Sequence, residues 1–137
     1  MKDCIFCKIL SGEIPCYKIY EDDKTLAFLD IADDFVGHTL VIPKNHCTNI
    51  LDADEETIKA VFSTTQKIAK HYTEKCFFDG VNILNANGVC AEQTVFHLHV
   101  HIIPRRAGDN FSIFAHREKQ NTDFEEVSKI LKLENKD

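Results

Sequence analysis

The chain has no surplus of positive charge: 16 Lys and Arg stand against 22 Asp and Glu, for a net charge of −6. Nucleic-acid polymers are held by basic stripes that displace condensed counterions, so there is no electrostatic footprint for such a partner, whereas a single nucleotide stays possible. Long apolar runs are missing too. None reaches the roughly 18 residues that a membrane span needs, and the opening MKDCIFCKIL meets charge and cysteine too soon for a secretory signal. A soluble, cytoplasmic protein with no membrane partner is expected. Internal repeats, low-complexity blocks and Gly/Ser linkers are absent as well, leaving 137 residues, 44% of them hydrophobic, to form a compact unit. A domain of about this size buries roughly 68% of its unfolded surface, enough for an ordinary core.

What is present begins with six cysteines, Cys4, Cys7, Cys16, Cys47, Cys76 and Cys90. In a reducing compartment these read as thiols or metal ligands rather than disulfides. The periodicities alternate in an α+β manner. YKIYED and TLAFLD are β-prone runs around turn residues, a hairpin over about residues 17–30, and GHTLVIPK is a third strand closed by Pro43. From Asp54 to Cys76 the residues Ile58, Val61, Phe62, Thr65, Ile68, Tyr72 and Cys76 recur every three or four positions, the stripe of a long helix, with Asp52 and Glu55 as a capping box. DGVNILN and VFHLHVHIIPR add two strands across the loop NANGVCAEQ. The expectation is an antiparallel sheet of about five strands with one long helix and short flanking helices. In the tail, TDFEEVSKILKLE predicts a short amphipathic helix capped by Thr122 and Glu125, with Phe124, Val127, Ile130 and Leu131 on one side.

The stretch FHLHVHIIPR sets His97, His99 and His101 on alternate positions. On a strand that rises about 3.3 Å per residue, His97 and His101 start about 13 Å apart. Zinc holds nitrogen ligands at about 2.1 Å, so one three-histidine site is unfavourable without a bulge, and the row divides its labour. Leu98, Val100 and Ile102 face the other way, toward the core under the long helix. A half-exposed strand with polar residues outward is the bland alternative, and a metallohydrolase or a cupin-like metal site also fits alternating histidines.

Beyond the histidines, IFCKI, LAFLDI, GHTLVIPKNH and QTVFHLHVHIIPR occur in an order and spacing that resemble the nucleotide-binding, Hint-like branch of the histidine-triad (HIT) family, in its bacterial type. The likeness runs roughly from Cys4 to Arg105, so a HIT domain over residues 1–110 and a tail over 111–137 are expected. It implies cleavage of a nucleoside 5′-monophosphate from a leaving group, a phosphoramidate or a related bond, through a nucleotidyl-histidine. His99 would attack. An exposed imidazole with a pKa near 6.5 is mostly neutral at pH 7, and covalent catalysis splits one hard displacement into two easier ones. The backbone of His97 would accept the other His99 proton, His101 would contact the phosphate and protonate the leaving group, and His38 would support the triad.

By the same likeness Asn85, Gln93 and Thr94 would donate to phosphate oxygens, Phe6, Ile9, Phe28 and Ile31 would line the base pocket, and Asp30 would accept from the ribose hydroxyls. Read alone, the apolar four are core, Asp30 ends a strand, Asn85 suits a loop, and His38 suits a strand or turn. Glu92 and Thr94 depart from the glycine and serine found in many relatives, and Glu92 would add negative charge near a phosphate. Cys4 and Cys7 have a spacing that suits two thiolates on one zinc, though two surface cysteines also satisfy it. Relatives of the bacterial type complete such a site with residues that map to His46 and His97, one structural zinc per chain. Cys16, Cys47, Cys76 and Cys90 read as packing thiols, and His71 and His116 as surface histidines. A homodimer and a purine nucleotide or nucleotide conjugate are the implied partners. The open alternatives are a dinucleoside polyphosphate hydrolase and a non-catalytic nucleotide-binding or interaction protein.

Overall fold

The computed structural model describes residues 3–114 and 116–135; residues 1–2 of the expected domain and residues 115 and 136–137 of the expected tail lie outside it. Along the chain come α1 (Ile5–Leu10), β1 (Lys18–Glu21), β2 (Thr25–Leu29), β3 (Thr39–Pro43), α2 (Glu55–Glu74), β4 (Gly80–Leu84), a 3₁₀ turn (Val89–Ala91), β5 (Val100–Arg105) and α3 (Phe124–Leu131). The strands form one antiparallel sheet in the order β1-β2-β3-β5-β4. The α+β architecture, five strands and one long helix, is the expected one. Among the described residues no helix is long and apolar enough to cross a membrane.

Period-two alternation in the strands gives the sheet two apolar faces, each with its own core. On one face Val61, Ile68 and Tyr72 of α2 pack against Ala27, Val41, Leu98, Val100 and Ile102. On the other, Phe6 of α1 packs with Leu26, Phe28, Leu40 and Ile42. Complete burial of such a side chain contributes about 1.5–3 kcal/mol, so these two clusters fix β3 and β5 in the middle of the sheet. Cys47 and Cys76 pack against the first cluster and Cys4 and Cys16 against the second, while Cys90 is exposed.

Several boundaries differ from those read in the sequence. β5 starts at Val100, not at Val95, because the chain bends at 95–97 and the backbone there bonds elsewhere: the Leu98 amide donates to the Cys47 carbonyl at 2.8 Å. The cap of α2 is Asp54, whose carboxylate accepts from the Thr57 amide at 2.7 Å. Asp52 instead closes the preceding loop, accepting from the amides of Thr48 and Asn49. Phe62 sits on the outer side of α2, 38% exposed, while Thr64 turns inward and shares a 2.7 Å hydrogen bond with Thr25. In the tail the cap is Asp123 rather than Thr122, accepting from the Glu126 amide. The expected apolar stripe of α3 is exposed along its whole length.

Candidate active site and metal centre

The bend before β5 brings His97 under α1 and leaves His101 in the sheet, where it pairs with Leu40 of β3 and Leu84 of β4. The three histidines are thereby delivered to different neighbours. His97, fully buried, directs Nε2 to the Pro43 carbonyl at 2.9 Å. A carbonyl only accepts, so the proton is on Nε2 and the Nδ1 lone pair is free to point the other way. It points at Cys4 Sγ (3.4 Å), Cys7 Sγ (3.6 Å) and His46 Nδ1 (3.1 Å), and Cys7 Sγ lies 3.3 Å from His46 Nδ1.

These four donor atoms all lie within 4.8 Å of one another. A tetrahedron built on Zn–N of about 2.0 Å and Zn–S of about 2.3 Å has edges of about 3.3–3.8 Å, so the cluster already has nearly the right size and two thiols plus two imidazoles are an accepted zinc set. The Pro43 carbonyl behind His97 supplies the outer hydrogen bond that orients a metal-bound imidazole. Burial pushes the His97 pKa down to about 4, against the carbonyl that favours the proton, so this ring is neutral as a ligand must be. The residues fit a structural zinc ion.

His99, also buried, donates from Nδ1 to the His97 carbonyl at 2.8 Å. Its Nε2 therefore carries a lone pair, and burial holds its pKa below the usual histidine value. Phe6 stands edge-on to it, 5.1 Å between ring centres, and Phe28 lies 5.6 Å beyond Phe6. Ile9 packs on the same apolar cluster, whereas Ile31 is 82% exposed on the loop after β2. Asp30, at the end of β2, accepts from the Ala32 amide through Oδ1 and holds Oδ2 3.7 Å from His38 Nε2.

His101 is pushed down to about 4 by burial, then by the neighbouring rings of His99 and His38. Its Nδ1 meets His38 Nε2 at 2.9 Å, and His38 Nδ1 meets Asp34 Oδ1 at 2.7 Å. Asp30, His38 and His101 could also be viewed as metal donors. Both nitrogens of His38 are already engaged in this hydrogen-bonded chain, which disfavours a second metal cage.

Gln93 and Asn85, expected at the phosphate, both donate to backbone carbonyls. Gln93 is 3% exposed, directs its amide protons to the carbonyls of Thr48 (2.7 Å) and Val95 (3.0 Å), and accepts from Asn49 and the Gly88 amide. With every group satisfied it staples the loop that precedes His97. Asn85 donates to the His99 carbonyl at 2.9 Å and accepts from Asn87, holding the backbone of His99 while lining the cleft beside His101. Thr94 is exposed in a shallow cleft that also contains Cys4 and His46, on the side of the thiol cluster. Asp34, Asn49 and Asn87 had no signal in the sequence beyond loop composition; only for Asp34 does spacing, four residues before His38, offer a hint.

Residues 11–108 match the family model described as the HIT domain. The chain is 45% identical over 132 residues to an uncharacterized HIT-like protein of Borreliella burgdorferi, which covers 95% of this chain and 94% of that protein. It is 37% identical over 129 residues to the adenosine 5′-monophosphoramidase of Saccharomyces cerevisiae, covering 94% of this chain and 78% of the yeast protein. Among solved structures, a zinc-bound histidine triad family protein from Mycobacterium smegmatis superposes with a TM-score of 0.78 at 42% identity, covering 85% of each chain. With this match over most of its length and with the bonded histidine row just described, the chain belongs to the HIT family.

Proposed function

We propose that this protein cleaves nucleoside 5′-monophosphates from a leaving group, an amine in a phosphoramidate or a related group, by way of a nucleotide carried on His99. The observation that carries the reading is the 2.8 Å hydrogen bond from His99 Nδ1 to the His97 carbonyl, which fixes the tautomer and leaves Nε2 as a buried, neutral nucleophile. Phe6, Phe28 and Ile9, with Ile31 folding over from its loop, form the base pocket, and Asp30 takes the ribose hydroxyls. His99 Nε2 attacks phosphorus, the bond to the leaving group breaks, and His101 gives that group a proton from Nε2. Water then attacks the nucleotidyl-histidine, returns a proton to His101 and releases the monophosphate. Asn85 keeps the His99 backbone in line, Gln93 holds the preceding loop, and Thr94 supplies a donor to the phosphate.

Cys4, Cys7, His46 and His97 hold zinc, which when bound ties the N-terminal helix to the segment after β3 and to the bend before β5. The likeness to the yeast monophosphoramidase and to the zinc-bound mycobacterial protein supports both halves of this reading. A cytoplasmic homodimer completes it, joined where β4 leaves the sheet edge with Ile83 and Leu84 each 39% exposed. The test is to incubate purified protein with adenosine and guanosine phosphoramidates and dinucleoside polyphosphates and identify the product. Release of AMP or GMP from the phosphoramidates supports the reading. Turnover of the dinucleotides alone moves the activity to polyphosphate hydrolysis, and binding without turnover makes the protein a nucleotide-binding module.

A further inference from the structure

Asp34 has no place in the histidine row, yet its carboxylate touches the pair that stands beside His99. Its Oδ1 lies 2.7 Å from His38 Nδ1, and His38 Nε2 lies 2.9 Å from His101 Nδ1. Partial burial works to raise the Asp34 pKa, but the hydrogen bond and charge of His38 hold it below the usual carboxylate value. An ionised carboxylate can only accept, so His38 is protonated on Nδ1 and turns the lone pair of Nε2 to His101. A hydrogen bond at that distance then needs the proton on His101 Nδ1. His101 Nε2 is left as the atom that can take up one more proton.

The remaining charge around this pair is also negative. Asp30 Oδ2 is 3.7 Å from His38 Nε2, and Glu92 lines a cleft of about 460 Å³ together with Asp34, His38 and His101. No Lys or Arg among the described residues lines that cleft, and the other titratable ring against His101 is His99, 5.0 Å away between centres. His38 is 5% exposed, so a positive charge on the pair has few water molecules to stabilise it and depends on its carboxylate partners.

We propose that Asp34 is a positioning residue for protonation of the leaving group: it holds His38 in the tautomer that orients His101 and stabilises the positive charge shared by the two rings. This rests on the nucleotidyl-transfer reading above. His101 Nε2 takes a proton from solvent as the anionic substrate binds, and the charge spreads through the Nδ1 proton toward His38 and Asp34. As the His99 Nε2–P bond forms and the P–N bond breaks, that proton passes to the departing nitrogen, the amine leaves neutral, and the histidine pair is neutral again. A leaving group that departs as a stable anion does not use the proton.

The experiment compares wild type with Asp34→Asn, which keeps the acceptor oxygen but not the charge, and Asp34→Ala, which keeps neither. Two adenosine 5′-phosphate substrates are used, one with an alkylamine leaving group and one with p-nitrophenol. On the amine, kcat falls by about tenfold in Asp34→Ala and less in Asp34→Asn, KM stays within about twofold, and the alkaline limb of the pH profile moves to lower pH. The loss on the nitrophenyl substrate is several-fold smaller. Equal losses on both substrates, or none on either, overturn the proposal. Nitrogen-15 spectra of the imidazoles read the chain without turnover: His38 is Nδ1-protonated in wild type and becomes a mixture of tautomers in Asp34→Ala. A wild-type His38 protonated on Nε2 overturns the proposal whatever the kinetics. A wild type that turns over neither substrate overturns the transfer reading and this role with it, a failure distinct from an active wild type whose Asp34→Ala variant behaves identically.

Discussion

His97, His99 and His101 share one side-chain type and differ in what each ring nitrogen touches. A proline carbonyl behind His97 leaves Nδ1 toward the thiols, the His97 carbonyl behind His99 leaves Nε2 with a lone pair, the atom proposed to attack, and His38 behind His101 leaves Nε2 unengaged, the atom proposed to carry a proton. In the proposed reading, Asp30 is the residue on which the choice of sugar rests. A carboxylate accepting from ribose hydroxyls makes charge-assisted hydrogen bonds, stronger than neutral ones. Asp30→Ala is therefore expected to weaken ribonucleotides by about tenfold or more and 2′-deoxyribonucleotides much less, in calorimetric titrations; equal weakening assigns Asp30 to the turn it makes with Ala32. His101 yields a pH dependence. Its pKa of about 4 in the folded protein lies below the roughly 6.5 of an unfolded histidine, so as pH falls through this window the unfolded chain takes up a proton that the native state refuses. Stability is complete above about pH 6.5 and declines toward pH 4. Urea titrations at pH 7 and 4.5 check it: wild type is expected to lose more stability between them than His101→Gln, and equal losses contradict the assignment.

The segment from the bend to β5 carries two duties on its two faces, histidines toward α1 and Leu98, Val100 and Ile102 toward α2. Leu98 is 1% exposed and sits between His97, which faces the thiols, and His99. Truncating a buried leucine of this kind costs about 2–5 kcal/mol, and Leu98→Ala is expected to show that loss in denaturant unfolding together with reduced turnover, because the bend that aims His97 and His99 loses its apolar anchor. A cost near zero would mean that the bend is held by its hydrogen bonds alone. The strands and α2 are legible in the sequence because their periodicities differ, two against three to four, and because burial rewards those patterns directly. The alternation of the three histidines and the spacing of Cys4 and Cys7 are equally local. What is not legible depends on bonds between distant segments. Nothing near Gln93 signals that Thr48, Asn49, Gly88 and Val95 will take up its whole amide, and nothing near Val95 signals that the Leu98 amide will leave the ladder for Cys47. Helix caps fall between: Asp52 and Asp54 are both suitable acids, and only the closed loop 48–52 decides which of them faces α2.

Across the whole molecule, the thiol and imidazole cluster joins three segments far apart in the chain, at residues 4–7, 46 and 97. Metal binding to such a cluster adds to the free energy of folding. Cys4→Ala, Cys7→Ala and His97→Ala are expected to lower both zinc content and Tm, by several degrees at least for a domain of this size, whereas His99→Ala keeps metal and Tm; metal analysis beside a thermal melt checks the set. Zinc lost with His99 alone would contradict the separation of the two sites. The separation itself comes from the sheet: one side of the His97 bend faces the N-terminal helix, and the other end of the row enters β5 between β3 and β4. The proposed metal clamp and the proposed nucleophile therefore occupy neighbouring positions without competing for the same ligand atoms.

Covalent attachment of the nucleotide to His99 is read from the intact mass of protein rapidly quenched during turnover of an adenosine phosphoramidate, in alkali because phosphorus–imidazole bonds are labile in acid. Wild type is expected to show a transient mass increase of one adenylyl group, mapped to the peptide containing His99, and His99→Ala none while still binding AMP. An adduct on another residue, or steady turnover by His99→Ala, would contradict it.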